Sequence, residues 1–103
     1  MTIKRGARSV FHDLGFSFEE AENLRHRSDL MIALSELIKK RRWTQAVAAR
    51  AIGVSQPRIS DLKHGKLGRF SLDMLVQMLC RAGVDVKIVL GRRSSRRPPK
   101  RAA

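Results

Sequence analysis

The chain has 103 residues, 43% hydrophobic and 30% charged, with 22 Lys and Arg against 9 Asp and Glu and a formal net charge of +13. That length holds one domain plus tails, with room for one modest core. The charge favours a polyanionic partner, nucleic acid or an anionic membrane surface. No apolar run approaches a membrane span or the core of a signal peptide. The lone Cys80 excludes an intrachain disulfide framework and fits a reducing cytoplasm.

The charge is unevenly spread. Lys4, Arg5 and Arg8 lie in residues 1–9, and Arg92, Arg93, Arg96, Arg97, Lys100 and Arg101 lie in residues 92–101. Neither segment contains an acid, which leaves +4 on residues 10–91. Residues 1–9 read as a disordered basic arm, 10–91 as the domain, and the Pro-containing 92–103 as a disordered basic tail.

Val10–Phe16 (VFHDLGF) is a short apolar segment with a glycine bend, open to reading as a strand or as an irregular arm. Ser17 followed three positions later by Glu20 is a capping box, so a helix starts at Phe18. It runs to Lys40, or is interrupted near Ser28-Asp29. Leu30, Ala33, Leu34, Leu37 and Ile38 form its apolar face. Lys39, Lys40, Arg41 and Arg42 suit the negative end of the helix dipole, and their place before the next segment also makes them phosphate-contact candidates.

That next segment, Trp43–Lys66 (WTQAVAARAIGVSQPRISDLKHGK), carries the most specific pattern in the chain. Counting Gln45 as first, small Ala49 is fifth and Gly53 ninth. Apolar Ala48, Ile52, Val54, Ile59 and Leu62 are fourth, eighth, tenth, fifteenth and eighteenth. Two short helices joined by a tight turn explain the spacing. Ala49 leaves space for the second helix to cross, Gly53 takes a positive φ, Val54 fills the angle, and Ser55 caps the second helix. Pro57 falls in its first turn, where a missing N–H costs nothing. Trp43 is expected to pack at the junction.

After Gly65 the chain loops through Lys66–Phe70, and Ser71 caps a further helix with Leu72, Leu75, Val76 and Leu79 as its stripe. Met74 and Met78 widen this stripe, either as gap-fillers or as an interface. Cys80 reads as core beside it. Val84–Leu90 (VDVKIVL) then alternates with period two, with Val84, Val86, Ile88 and Leu90 on one face. A lone strand needs a partner. Val10–Phe11 of the same chain and the same strand of a second subunit are the two options, and the second, a homodimer, is preferred because a palindromic DNA site requires one.

The pattern TQ-x-x-A-A-x-x-I-G-V-S-Q-x-x-I-S-x-L-x-x-G in Thr44–Gly65 resembles the phage-repressor-like (XRE/Cro) helix-turn-helix family. The flanks, VF-x-DLGF at Val10–Phe16 and RISDLKHGK-x-x-x-FSLD-x-L at Arg58–Leu75, resemble its HigA-like antitoxin-type subgroup. The resemblance implies a mainly α domain of four to five helices containing a helix-turn-helix, to which the alternation adds one C-terminal β-strand pairing across a dimer. It further implies a sequence-specific repressor of its own operon, the antitoxin of a type II pair with a RelE/HigB-like toxin as partner. Gln45, by the same resemblance, braces the start of the recognition helix and touches a phosphate. Lys63 departs from the family, where an acid is frequent at this position.

A helix of this kind fits the major groove, and side-chain chemistry nominates the readers. Gln56 suits bidentate pairing with adenine and Arg58 with guanine; for each the competing reading is a solvated side chain. Ser60 and Asp61 point the same way, Asp61 either accepting from cytosine or pairing with Arg58. Thr44, Gln45, Ser55, Lys63, Lys66 and Arg69 complete the expected DNA-binding set, with Arg50 and His64 as further phosphate candidates. His12, His26 and His64 share no metal-ligand spacing with Cys80, and no glycine-rich phosphate loop or carboxylate pair occurs. No enzyme, metal or cofactor is therefore expected, and the expected place is the cytoplasm, on the nucleoid when DNA is bound. Two other functions compete: a module that mainly neutralises a toxin through Val10–Phe16 and the Met74/Met78 face, and a non-specific nucleic-acid binder driven by the tails.

Overall fold

The structure is a computed structural model and describes residues 14–91. Four α-helices follow one another: α1 (Phe18–Lys40), α2 (Gln45–Ile52), α3 (Gln56–Lys63) and α4 (Leu72–Arg81), with a 3-10 turn at Leu67–Arg69 between the last two.

Helix α1 begins where the capping box puts it. Ser17 Oγ accepts from the Glu20 amide at 3.2 Å, and Glu20 Oε1 accepts from the Ser17 amide at 3.0 Å, so two orphan donors are satisfied reciprocally. The helix passes through Ser28-Asp29 without a break and reaches Lys40. It ends in a Schellman arrangement: the Trp43 amide donates to Ile38 O and the Arg42 amide to Lys39 O. Arg42 takes the left-handed conformation there, φ +55°, the one described non-glycine residue to do so.

The core is one cluster. Met31, Leu34, Leu37 and Ile38 of α1 meet Leu75, Met78 and Leu79 of α4, with Ala48, Ala49 and Ile52 of α2 and Ile59 and Leu62 of α3 closing it. Helix α1 packs chiefly on α4, and α2 chiefly on α3. Phe70 drops into the cluster from the loop after the 3-10 turn, almost fully buried. Met78 is likewise buried and Met74 packs at the core edge, so these methionines fill the interior. Cys80 is a correction to the sequence reading: it is exposed, because the buried face of α4 is set by Leu75, Met78, Leu79 and Ala82, and Cys80 turns off it.

The C-terminal segment also departs from expectation. A second Schellman arrangement ends α4, with Val84 N–H donating to Leu79 O and Gly83 N–H to Cys80 O. Val84 and Val86 then pack against the core, while Ile88 and Leu90 are 78% and 89% exposed. No strand forms among the described residues. A strand is defined by its ladder, and within residues 14–91 this segment has no neighbour to pair with. The other expected partner, Val10–Phe11, and both basic tails lie outside the described residues.

Candidate nucleic-acid interface

Helices α2 and α3 form the helix-turn-helix that the spacing demanded. Thr44 Oγ1 accepts from Val47 N–H at 3.1 Å and opens α2; Ser55 Oγ accepts from Arg58 N–H at 3.3 Å and opens α3. Between them Gly53 has φ +80° and ψ +35°, and its amide closes α2 onto Ala49 O at 2.8 Å. Val54, donating to the same carbonyl, tucks its half-buried side chain into the angle. Ala48, Ile52 and Ile59 are fully buried, so the inner surfaces of both helices are spent on the core.

The outer surface carries the expected reading residues. Thr44, Ser55 and Gln56 are exposed, and Gln56 with Pro57 forms the first turn of α3. Pro57 has no amide N–H and those of Arg58 and Ile59 donate to Ser55, so the partial positive charge at this helix start comes from the aligned peptide dipoles. Lys63, Lys66 and Arg69 are exposed on the C-terminal half of α3 and the loop after it. Gln45 is half-buried at the start of α2, and its side chain makes no hydrogen bond to α3 among the described residues.

Several of the nominated side chains are already engaged. Asp61 is paired with Arg69, Oδ2 to Nη1 at 3.2 Å, not with Arg58. Arg58 donates through Nη1 to the Arg69 carbonyl at 2.9 Å and lies over the Phe70 ring, 5.5 Å from its centroid. Because Arg69 compensates Asp61, the acid does not oppose a phosphate as an isolated charge would. Ser60 is half-buried beside His64, whose Nδ1 lies 2.8 Å from the Ser60 carbonyl and folds the imidazole back on α3.

The basic cluster at the end of α1 divides. Arg41 Nη1 donates to the Ala82 carbonyl at 2.6 Å and its guanidinium lies 5.1 Å from the Trp43 ring centroid, so this residue ties α1 to the end of α4. Trp43 itself packs at the core edge, as the sequence suggested. Lys39, Lys40 and Arg42 remain exposed. Arg27 escaped the sequence reading. From the middle of α1 its Nη1 donates to Leu67 O and Phe70 O, both at 3.1 Å, and its Nε to Asn23 Oδ1 at 2.7 Å. No sequence signal could have found it, since its main partners are backbone carbonyls 40 and 43 residues away.

Among the described residues no group of three or more His, Cys, Asp or Glu side chains is arranged to hold a metal ion, and no helix is long and apolar enough to cross a membrane.

Comparison with known proteins agrees with this geometry. A family model described as "Helix-turn-helix domain" matches residues 10–91. A solved structure named as an XRE-family transcriptional regulator is 36% identical with a TM-score of 0.67, the match covering 82% of this chain and 90% of that one. No curated protein matches the chain significantly. The spacing around Gly53, the capped pair α2–α3 and these two matches agree: the chain belongs to the XRE-type helix-turn-helix family.

Proposed function

We propose that the protein is a dimeric, sequence-specific transcriptional repressor that reads a palindromic operator in double-stranded DNA. The observation that carries this reading is the start of α3: a capped, exposed first turn bearing Gln56, on a helix whose opposite side is buried, flanked by exposed Lys63, Lys66 and Arg69. Gln56 reads a base edge, with Ser60 beside it. Thr44, Gln45 and Ser55 engage phosphate at the two helix starts, and Lys63, Lys66 and Arg69 add affinity without sequence information. Two such heads must be held about one helical turn of DNA apart. The period-two segment Val84, Val86, Ile88 and Leu90 is the surface proposed to join two copies, Val84 and Val86 anchoring it to the core and exposed Ile88 and Leu90 making the contact.

The finer reading is the HigA-like one: the antitoxin of a type II toxin–antitoxin pair, repressing its own operon from the cytoplasm and binding a RelE/HigB-like toxin. Resemblance of the flanking motifs supports it. The alternative, a module whose main task is to block a toxin, loses part of one candidate surface because Met78 is buried. A non-specific binder driven by its tails remains the other competitor.

Selection from a random pool of duplex DNA at moderate salt tests the proposal. A two-fold symmetric motif with half-sites about one turn apart is expected. Salt-sensitive binding with no enriched motif would contradict a specific repressor and favour the tail-driven binder.

A further inference from the structure

The loop between α3 and α4 is held more firmly than a surface connection requires. Phe70 anchors it in the core from beneath. Arg27 of α1 donates to the carbonyls of Leu67 and Phe70, and Arg58 of α3 donates to the carbonyl of Arg69. The Arg69 side chain is in turn paired with Asp61 of α3. Inside the loop, Leu67 N–H bonds Gly65 O and Arg69 N–H bonds Lys66 O. The carbonyls of residues 65, 66, 67, 69 and 70 are thus all accepting bonds, three of them from arginines on two different helices. Lys66 and the Arg69 side chain stay exposed, the latter at 58%.

We infer that Lys66–Phe70 is a phosphate-contacting arm of fixed geometry, and that Arg27 and Arg58 are positioning residues for it and not readers of bases. The inference rests on the DNA-binding reading above and deepens it. Two physical reasons stand behind it. A free loop must be ordered when it meets DNA, and a loop already ordered by folding avoids that loss on binding. Carbonyl oxygens turned toward a phosphate repel it, whereas carbonyls already bonded to arginines leave the lysine and arginine side chains as the groups a phosphate meets. Arg58, with one guanidinium edge on a carbonyl and its plane over Phe70, has exchanged the geometry of a guanine fork for that of a strut.

The test uses the full chain and the duplex selected by the wild type. Arg27→Gln is expected to weaken binding by about tenfold near 0.1 M salt and to lower the slope of log affinity against log salt by about one, the signature of one lost phosphate contact. The preferred sequence should not change. In a Lys66→Ala/Arg69→Ala background the same substitution should have almost no further effect, because its route to DNA has been removed. Arg58→Gln should behave alike and select the wild-type motif; Arg27→Lys should recover part of the loss. Circular dichroism at the assay temperature restricts the comparison to folded variants, and Arg58→Gln tests the arm through a second helix should Arg27→Gln not fold.

A loss that persists undiminished in the Lys66→Ala/Arg69→Ala background would overturn the inference, since Arg27 would then act elsewhere. A motif relaxed at one symmetric pair of positions by Arg58→Gln would overturn it for Arg58, which would be a reader. Either outcome leaves the wild-type motif standing. Failure of the DNA-binding reading is a different result, the wild type selecting no motif at all, and it would remove the arm with it.

Discussion

Gly53→Ala measures what the turn of the helix-turn-helix costs. A Cβ built at Gly53 meets only the flexible end of Arg81, at 3.6 Å and 3.8 Å, which is ordinary van der Waals contact. Steric overlap with the rest of the fold therefore contributes little, and the cost comes from the backbone, φ +80°, where an L-residue loses about 1–2 kcal/mol. A domain this small shifts its Tm by about 4–8 °C per kcal/mol, so Gly53→Ala should lower Tm by roughly 4–16 °C. Asn tolerates the left-handed region better than Ala because its short polar side chain bonds locally. Gly53→Asn should accordingly recover part of the loss despite being larger. Thermal unfolding followed by circular dichroism reads both. A neutral Gly53→Ala, or an Asn variant worse than Ala, would refute the reasoning, the second because size and not φ would then be limiting.

Arg42→Gly should do the opposite, raising stability by up to about 1 kcal/mol, because glycine relieves the strain of φ +55° at a small entropic cost; a destabilised variant in chemical denaturation would mean that the Arg42 side chain contributes more than its backbone loses. Leu34→Ala, at a fully buried position between α1 and the other helices, should cost about 2–5 kcal/mol by the same measurement, and a cost under about 1 kcal/mol would contradict the packing described. Ile88→Asp together with Leu90→Asp should leave the monomer's fold intact, both side chains being exposed, yet convert a dimer to a monomer in sedimentation; an unchanged dimer would exclude this segment as the joint. Removing residues 92–103 should lower affinity and the salt slope while keeping the selected motif, whereas complete loss of binding would favour the tail-driven binder.

The parts legible in the sequence are those governed by neighbours in the chain. Ser17, Thr44, Ser55 and Ser71 each cap a helix because the N–H they accept from is only three residues on. Gly53 and the apolar positions around it were readable for the same reason: two short helices and a turn constrain about ten residues within one window. Asp61 was not. Its partner depends on the path of the loop, and only the fold brings Arg69 back to it. Arg58 read as a base-edge fork because its side-chain chemistry allows one, yet a carbonyl eleven residues away and the Phe70 ring hold it. Arg27 was invisible, since backbone acceptors carry no sequence mark. The alternation in Val84–Leu90 is real, but a period-two pattern states only which side chains share a face, and a ladder needs a second backbone that residues 14–91 do not supply.

In the proposed complex α3 and the loop beyond it face DNA while the middle of α1 does not. Backbone amide chemical shifts of labelled protein, followed as the selected duplex is added, test it most directly. The largest changes are expected at Thr44 and Gln45, at Ser55, Gln56 and Arg58, and from Lys63 to Arg69, with residues 28–36 of α1 little affected. Changes concentrated on α1 or on residues 84–91, with Ser55–Arg58 silent, would contradict it.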